Sequence, residues 1–135
     1  PRPRMIKVAD EPRVAIIADV DTPLGTITVA NVHLSFVPGY NVKQLRKLTK
    51  HLGNRSNPVI ILGDFNLPGK IANLVSRWDS LAGAPTYPTF KPRIQFDHII
   101  ARGLTDETIK RARDSVEVMP LAISDHCALV VEITK

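Results

Sequence analysis

The sequence predicts an α/β fold, read as α+β layers of strands and helices. Two observations carry this: short apolar, β-branched runs recur between turn residues, and helical apolar periodicity interrupts them at two places. At 135 residues, 44% hydrophobic and 23% charged, the composition is that of a globular chain, and its length predicts one domain over 1–135.

The elements follow in order. Residues 1–12 contain three prolines and carry no periodic pattern, so they read as irregular. Val14 to Ala18 is a short apolar run, and Asp21-Thr22-Pro23-Leu24-Gly25 supplies turn residues after it. Thr26 to Leu34 is rich in β-branched residues, so the two segments read as strands joined by a hairpin. Side chains alternate along a strand, which places Ile27, Val29, Asn31 and His33 on one face.

After Pro38-Gly39 a helix is expected over 41–52, with Val42, Leu45, Leu48 and Leu52 on one stripe. Lys43, Arg46, Lys47 and Lys50 take the opposite side and read as a solvated face. Asn41 with Gln44 resembles a capping box, and Gly53 a helix stop. Val59-Ile60-Ile61-Leu62 lacks polar alternation and predicts a strand buried on both faces. A second short helix is expected over 70–78, with Ile71, Leu74, Val75 and Trp78 inward. Residues 82–91 read as loop, 94–101 as strand, 105–112 as a short helix or turn, 116–119 as a short strand and 128–133 as the last strand.

Some function classes are excluded by composition. No apolar run approaches the length needed to span a bilayer. Cys127 is the single cysteine, which rules out an internal disulfide, reads as a small buried residue, and tips localisation toward a reducing compartment such as the cytoplasm. Aromatic residues, at 5%, are too few for a stacking platform for single-stranded nucleic acid. The net charge of +5 is compatible with phosphate-bearing partners.

Chemistry concentrates in four segments that set acidic or imidazole groups at the ends of apolar strands: Asn31-Val32-His33-Leu34, Gly63-Asp64-Phe65-Asn66, Phe96-Asp97-His98-Ile99 and Ser124-Asp125-His126. Carboxylates beside buried runs are costly unless paired or bound to metal, so four such placements in one chain point to a shared site. Asp64 and Asn66 lie two apart and project together, offering oxygen donors that suit Mg²⁺ or Mn²⁺. His126 is placed to contact phosphate while the adjacent Asp125 approaches metal, and Asp97 is a partner able to fix an imidazole tautomer. His98, next to Asp97, should point to the other face and serve packing.

These four segments, in this order, resemble the endonuclease/exonuclease/phosphatase superfamily, the deoxyribonuclease I-like group; Thr86-Tyr87-Pro88-Thr89-Phe90 ahead of the Asp97 strand is similar as well. The resemblance runs from about Val14 onward. It implies half or more of a four-layer α/β sandwich, with a mixed, mainly antiparallel sheet and two helices. It implies a metal-dependent, nuclease-like phosphoesterase in which an activated water attacks a phosphate ester. By the same resemblance His33, Asp64, Asn66, Asp97 and His126 are catalytic, Asn31, Asn66 and His126 bind substrate, and Asp64, Asn66 and Asp125 hold Mg²⁺ (or Mn²⁺).

The family's module is roughly twice this length, and its metal-binding Glu belongs to an earlier half. No segment before Asn31 supplies it, because Asp10-Glu11 precedes Pro12 and reads as a turn. The chain, beginning at Pro1, therefore reads as the C-terminal part of such a module. Two outcomes follow: a phosphate-ester hydrolase, with nucleic acid slightly favoured over lipid or inositol phosphates, or a catalytically incompetent half-module that binds or self-associates.

Overall fold

The computed structural model describes residues 13–134; the stretch expected to be irregular, and the turn at Asp10-Glu11, lie outside the described residues. A five-stranded mixed sheet has the order β1-β2-β3-β5-β4. Its strands are β1 (Ala15–Thr22), β2 (Gly25–His33), β3 (Val59–Asp64), β4 (Asp79–Ser80) and β5 (Asp97–Arg102). Helix α1 (Tyr40–Leu52) crosses from β2 to β3, α2 (Ile71–Ser76) follows β3, and α3 (Asp106–Asp114) follows β5. A ribbon of β6 (Glu117–Met119) and β7 (Ala128–Val130) completes the chain. Among the described residues only β2 and β3 pair in parallel, with α1 as the crossover such a pair needs; the other strand pairs are antiparallel.

Strand alternation builds two cores, one on each face of the sheet. Ala30, Val32, Val59, Ile61 and Ile100 pack on one face with Leu45 and Leu52 of α1 and Ala72 of α2. Ile27, Ile60, Ile99 and Ala101 pack on the other with Ile109 and Ala112 of α3, and with Leu81 and Ala82. β3 lies in the middle and is buried on both faces, which is why its sequence lacks alternation. At the edge, Val14 and Ile16 stay 79% and 69% exposed.

A polar clamp closes the sheet end where β3 begins. Thr28, fully buried, donates to Asp19 Oδ1 at 2.6 Å and accepts from Asn57 Nδ2 at 2.8 Å. Arg55 reaches the same Asp19 oxygen at 3.2 Å, and the Thr28 N–H donates to the Pro58 carbonyl at 3.0 Å. The network ties β1, β2 and the entry to β3 together.

Several local expectations change. There is no capping box: the α1 N-cap is Gly39 at φ 91°, without a side-chain cap. Asn41 is instead buried and donates to the Asn66 carbonyl at 3.1 Å, while Gln44 Oε1 accepts from the Ser35 N–H at 2.7 Å. α2 is shorter than expected because Arg77 turns left-handed at φ 59° and stops it. Ile71 and Leu74 were expected inward, yet they are 40% and 77% exposed, and Ala72 and Ser76 are the buried positions. Among the described residues three helices form rather than two, since Thr105 caps α3 by accepting from the Thr108 N–H at 3.2 Å. β1 continues through Asp21 and Thr22, and β4 was not anticipated.

Candidate functional site

The site begins as one row across three strands. In the sheet register His33 of β2 stands opposite Asp64 of β3, and Asp64 opposite Asp97 of β5. Side chains in one row share a face, so all three project from the same sheet end. Gly63 allows this closeness: its φ is +134°, and a Cβ there would lie 1.9 Å from the Val32 carbonyl oxygen.

His126 closes the row from the segment before β7. Its Nδ1 lies 2.7 Å from Asp97 Oδ2, and its Nε2 lies 3.7 Å from Asp64 Oδ2. His33 Nε2 approaches the same Asp64 oxygen at 3.5 Å from a largely exposed position. The other oxygen, Asp64 Oδ1, accepts from the Asn66 N–H at 2.9 Å. Asn66 sits at φ 51°, and its side-chain amide donates to the Leu34 carbonyl at 2.8 Å, which holds it beside the end of β2.

Electrostatics set the two central groups apart. Burial pushes the Asp64 carboxyl above the ordinary carboxylate value, opposed by the Asn66 N–H; neighbouring Asp97 raises it further, while the two imidazoles lower it. For His126, burial alone would lower the imidazole, but the hydrogen bond and charge of Asp97, with Asp64 and Asp125, carry it above its ordinary value. The two shifts have different origins: burial dominates at Asp64, whereas the hydrogen bond and charge of Asp97 outweigh burial at His126.

Asp64, Asp97 and His126 each offer a ligand atom, all within 4.8 Å of one another. Two carboxylates repelling each other at reduced solvation form a donor set that fits a hard divalent cation. Asp125 stays outside this group: its side chain is exposed, and its carbonyl accepts from the Thr89 N–H at 2.8 Å. Asn31 shares the face but stands opposite Leu62, one row further from the sheet end, and is exposed. His98 is buried on the opposite face, stacked on Phe65 with Nε2 2.6 Å from the Leu67 carbonyl. A groove of about 810 Å³ between β1 and α1 shares no residue with this cluster.

The sequence reading missed what supports Asp97. Thr86, fully buried, donates its hydroxyl to Asp97 Oδ2 at 2.6 Å. The ring of Tyr87 lies 5.0 Å from that of His126. The only signal in the sequence was the run Thr86-Tyr87-Pro88-Thr89-Phe90 ahead of β5, and nothing in it tells which side chain reaches an acid 11 residues on.

A layered α/β domain with a carboxylate–imidazole cluster at the sheet end defines the class of protein. The chain belongs to the Endonuclease/Exonuclease/phosphatase family, which it matches over residues 8–126. Comparison with curated proteins returns no match. Among solved structures, beta toxin from Staphylococcus aureus is similar at TM-score 0.52 and 14% identity, over 66% of this chain and 42% of that one. A mannosyl-6-phosphatase of Bacteroides thetaiotaomicron is similar at TM-score 0.55 and 16% identity, over 82% of this chain and 52% of that one. These likenesses establish the shared fold, and the chain spans about half the length of each of the two structures.

Proposed function

We propose that the protein is a divalent-metal-dependent phosphoesterase in which Asp64, Asp97 and His126 act together on a phosphate ester. The observation that carries this reading is the Asp64–His126–Asp97 chain, with contacts of 3.7 and 2.7 Å, beside His33 at one sheet end. Family membership and the phosphatase among similar structures support the hydrolytic class.

The roles follow from the donors. Asp97 holds the Nδ1 proton of His126, so Nε2 is presented toward the site and, when protonated, donates to a phosphoryl oxygen. Asp64, whose Oδ2 lies between the imidazoles of His126 and His33, orients or deprotonates the attacking water. His33 reaches the same space from solvent and offers a second donor to the phosphate. Asn66 holds Asp64 through its N–H, and with its amide nitrogen given to the Leu34 carbonyl it would meet substrate or cation through its side-chain oxygen. Asp64, with Asn66 or Asp125 as additional oxygen donors, would hold Mg²⁺ or Mn²⁺, which would supply charge neutralisation at the phosphate. The net charge of +5 slightly favours nucleic acid over lipid or inositol phosphates as the source of that ester.

The test is hydrolysis of bis(4-nitrophenyl) phosphate with Mg²⁺ and with EDTA. Chelation should abolish turnover, and Asp64→Asn and His126→Ala should each lower it on the order of a hundredfold or more. Undiminished rates in either variant, or in EDTA, refute the proposal. A second reading, a half-module that binds or self-associates without turnover, is favoured by one observation: among the described residues no glutamate joins the cluster. Under that reading, Mg²⁺-dependent hydrolysis is absent while light scattering reports a dimer or larger species.

A further inference from the structure

We infer that Thr86 is a positioning residue, whose hydroxyl fixes the Asp97 carboxylate and whose backbone fixes the segment bearing His126. The catalytic consequence rests on the phosphoesterase reading above, whereas the positioning is a matter of geometry and can be measured without turnover.

Three bonds radiate from Thr86. Its N–H donates to the Ile94 carbonyl at 3.0 Å, which anchors it to the approach to β5. Its hydroxyl donates to Asp97 Oδ2 at 2.6 Å, the same oxygen that meets His126 Nδ1 at 2.7 Å. Its carbonyl accepts from the Cys127 N–H at 2.7 Å, one residue past the imidazole. One buried residue thus grips Asp97 by its side chain and the segment bearing His126 by its main chain.

The neighbouring Thr89 repeats the arrangement one step out. Its N–H donates to the Asp125 carbonyl and its hydroxyl to the Ser124 carbonyl, both at 2.8 Å. The two residues bracket His126 from either side along the chain, and the Tyr87 ring packs against the imidazole between them. Without the Thr86 hydroxyl, Asp97 Oδ2 keeps only the imidazole as partner, and the carboxylate is free to turn about its side-chain bonds. An aspartate that turns no longer holds one tautomer of its histidine, and second partners of this kind are worth about tenfold to a hundredfold in activity.

Thr86→Val keeps the shape and removes the donor; Thr86→Ser keeps the donor and removes a methyl. Two readouts are taken on the intact protein with Mg²⁺. The first is kcat and KM on bis(4-nitrophenyl) phosphate. The second is the His126 tautomer from long-range nitrogen–proton NMR, at a pH where the ring is neutral. Thr86→Val is expected to lose on the order of tenfold or more in kcat with little change in KM, and to show mixed tautomers. Thr86→Ser should stay near wild type in both.

Wild-type kcat in Thr86→Val overturns the inference, as does a lost rate with an unmixed tautomer, or failure of serine to restore either property. Should Thr86→Val not fold, Thr86→Ala against Thr86→Ser makes the same comparison. If the wild type shows no hydrolysis while the tautomer is pinned in wild type and Thr86→Ser and mixed in Thr86→Val, the phosphoesterase reading fails and the positioning stands.

Discussion

Replacing Gly63 by alanine tests the claim that backbone contact between β2 and β3 sets the site's dimensions. Two costs add. The residue sits at φ +134°, where an L side chain is strained by about 1–3 kcal/mol. The added Cβ would also lie 1.9 Å from the Val32 oxygen, 2.9 Å from its carbonyl carbon and 3.1 Å from its nitrogen. All three are backbone atoms, so relief requires the strands to part by about 1 Å, at the expense of ladder hydrogen bonds worth about 1 kcal/mol each. The expected loss is about 3–5 kcal/mol, or a fall in Tm on the order of 10 °C. Gly25→Ala is the control: its φ is +96° but nothing lies within 4 Å of the added carbon, so it carries the dihedral cost alone. Urea unfolding followed by circular dichroism and by the fluorescence of Trp78 measures both. A Gly63→Ala loss no larger than that of Gly25→Ala would refute the close-approach argument.

Three further outcomes are expected. Asp64→Asn should be more stable than wild type above the ordinary carboxylate range: burial raises this carboxyl, so its favourable contribution is complete below the unfolded value and is lost as pH rises through the folded one. Melting curves from pH 4 to pH 8 should show the gap opening with pH, and a variant less stable at pH 8 contradicts the assignment. His126→Gln should behave oppositely, since the folded imidazole value is raised: the stabilisation it removes is full below pH 6.5 and fades as pH climbs through the folded value. A constant difference between the two melting curves across that window argues against the Asp97 pairing. Adding Mg²⁺ at ten times its dissociation constant should stabilise the wild type by about 1.4 kcal/mol and Asp64→Asn by much less, and equal shifts in calorimetry would place the ion elsewhere.

Much of the sheet was legible because burial dictates residue type. The unbroken run Val59-Ile60-Ile61-Leu62 could only be a central strand, and it is buried on both sides. β1 outruns its apolar stretch because an edge strand tolerates Asp19 and Asp21, which look like turn residues yet are held by Thr28 and Thr26 across the ladder. Asn41 has the sequence of a cap, but its amide is drawn into a contact 25 residues away, which no local rule anticipates. In α2, six residues are too few turns for periodicity to fix a face, and Ile71 and Leu74 lie exposed rather than inward. At the site, Asp64, Asp97 and His126 stood out as polar groups ending apolar runs. Asn31 and Asp125 met the same criterion; Asn31 lies a row away, and Asp125 is exposed beside His126.

The clamp around Thr28 sits at the far end of the same two strands that carry His33 and Asp64. Its bond to Pro58 and its pairing with Val59 fix where β3 starts relative to β2, and five residues later that offset decides which side chain faces His33. The two ends behave like a ruler and its zero mark. A slip of one residue at the clamp would bring Gly63 or Phe65 to the place of Asp64 and turn the carboxylate to the opposite side of the sheet. A substitution far from any reacting group, such as Thr28→Val, therefore acts on the alignment of the reactive end as well as on stability.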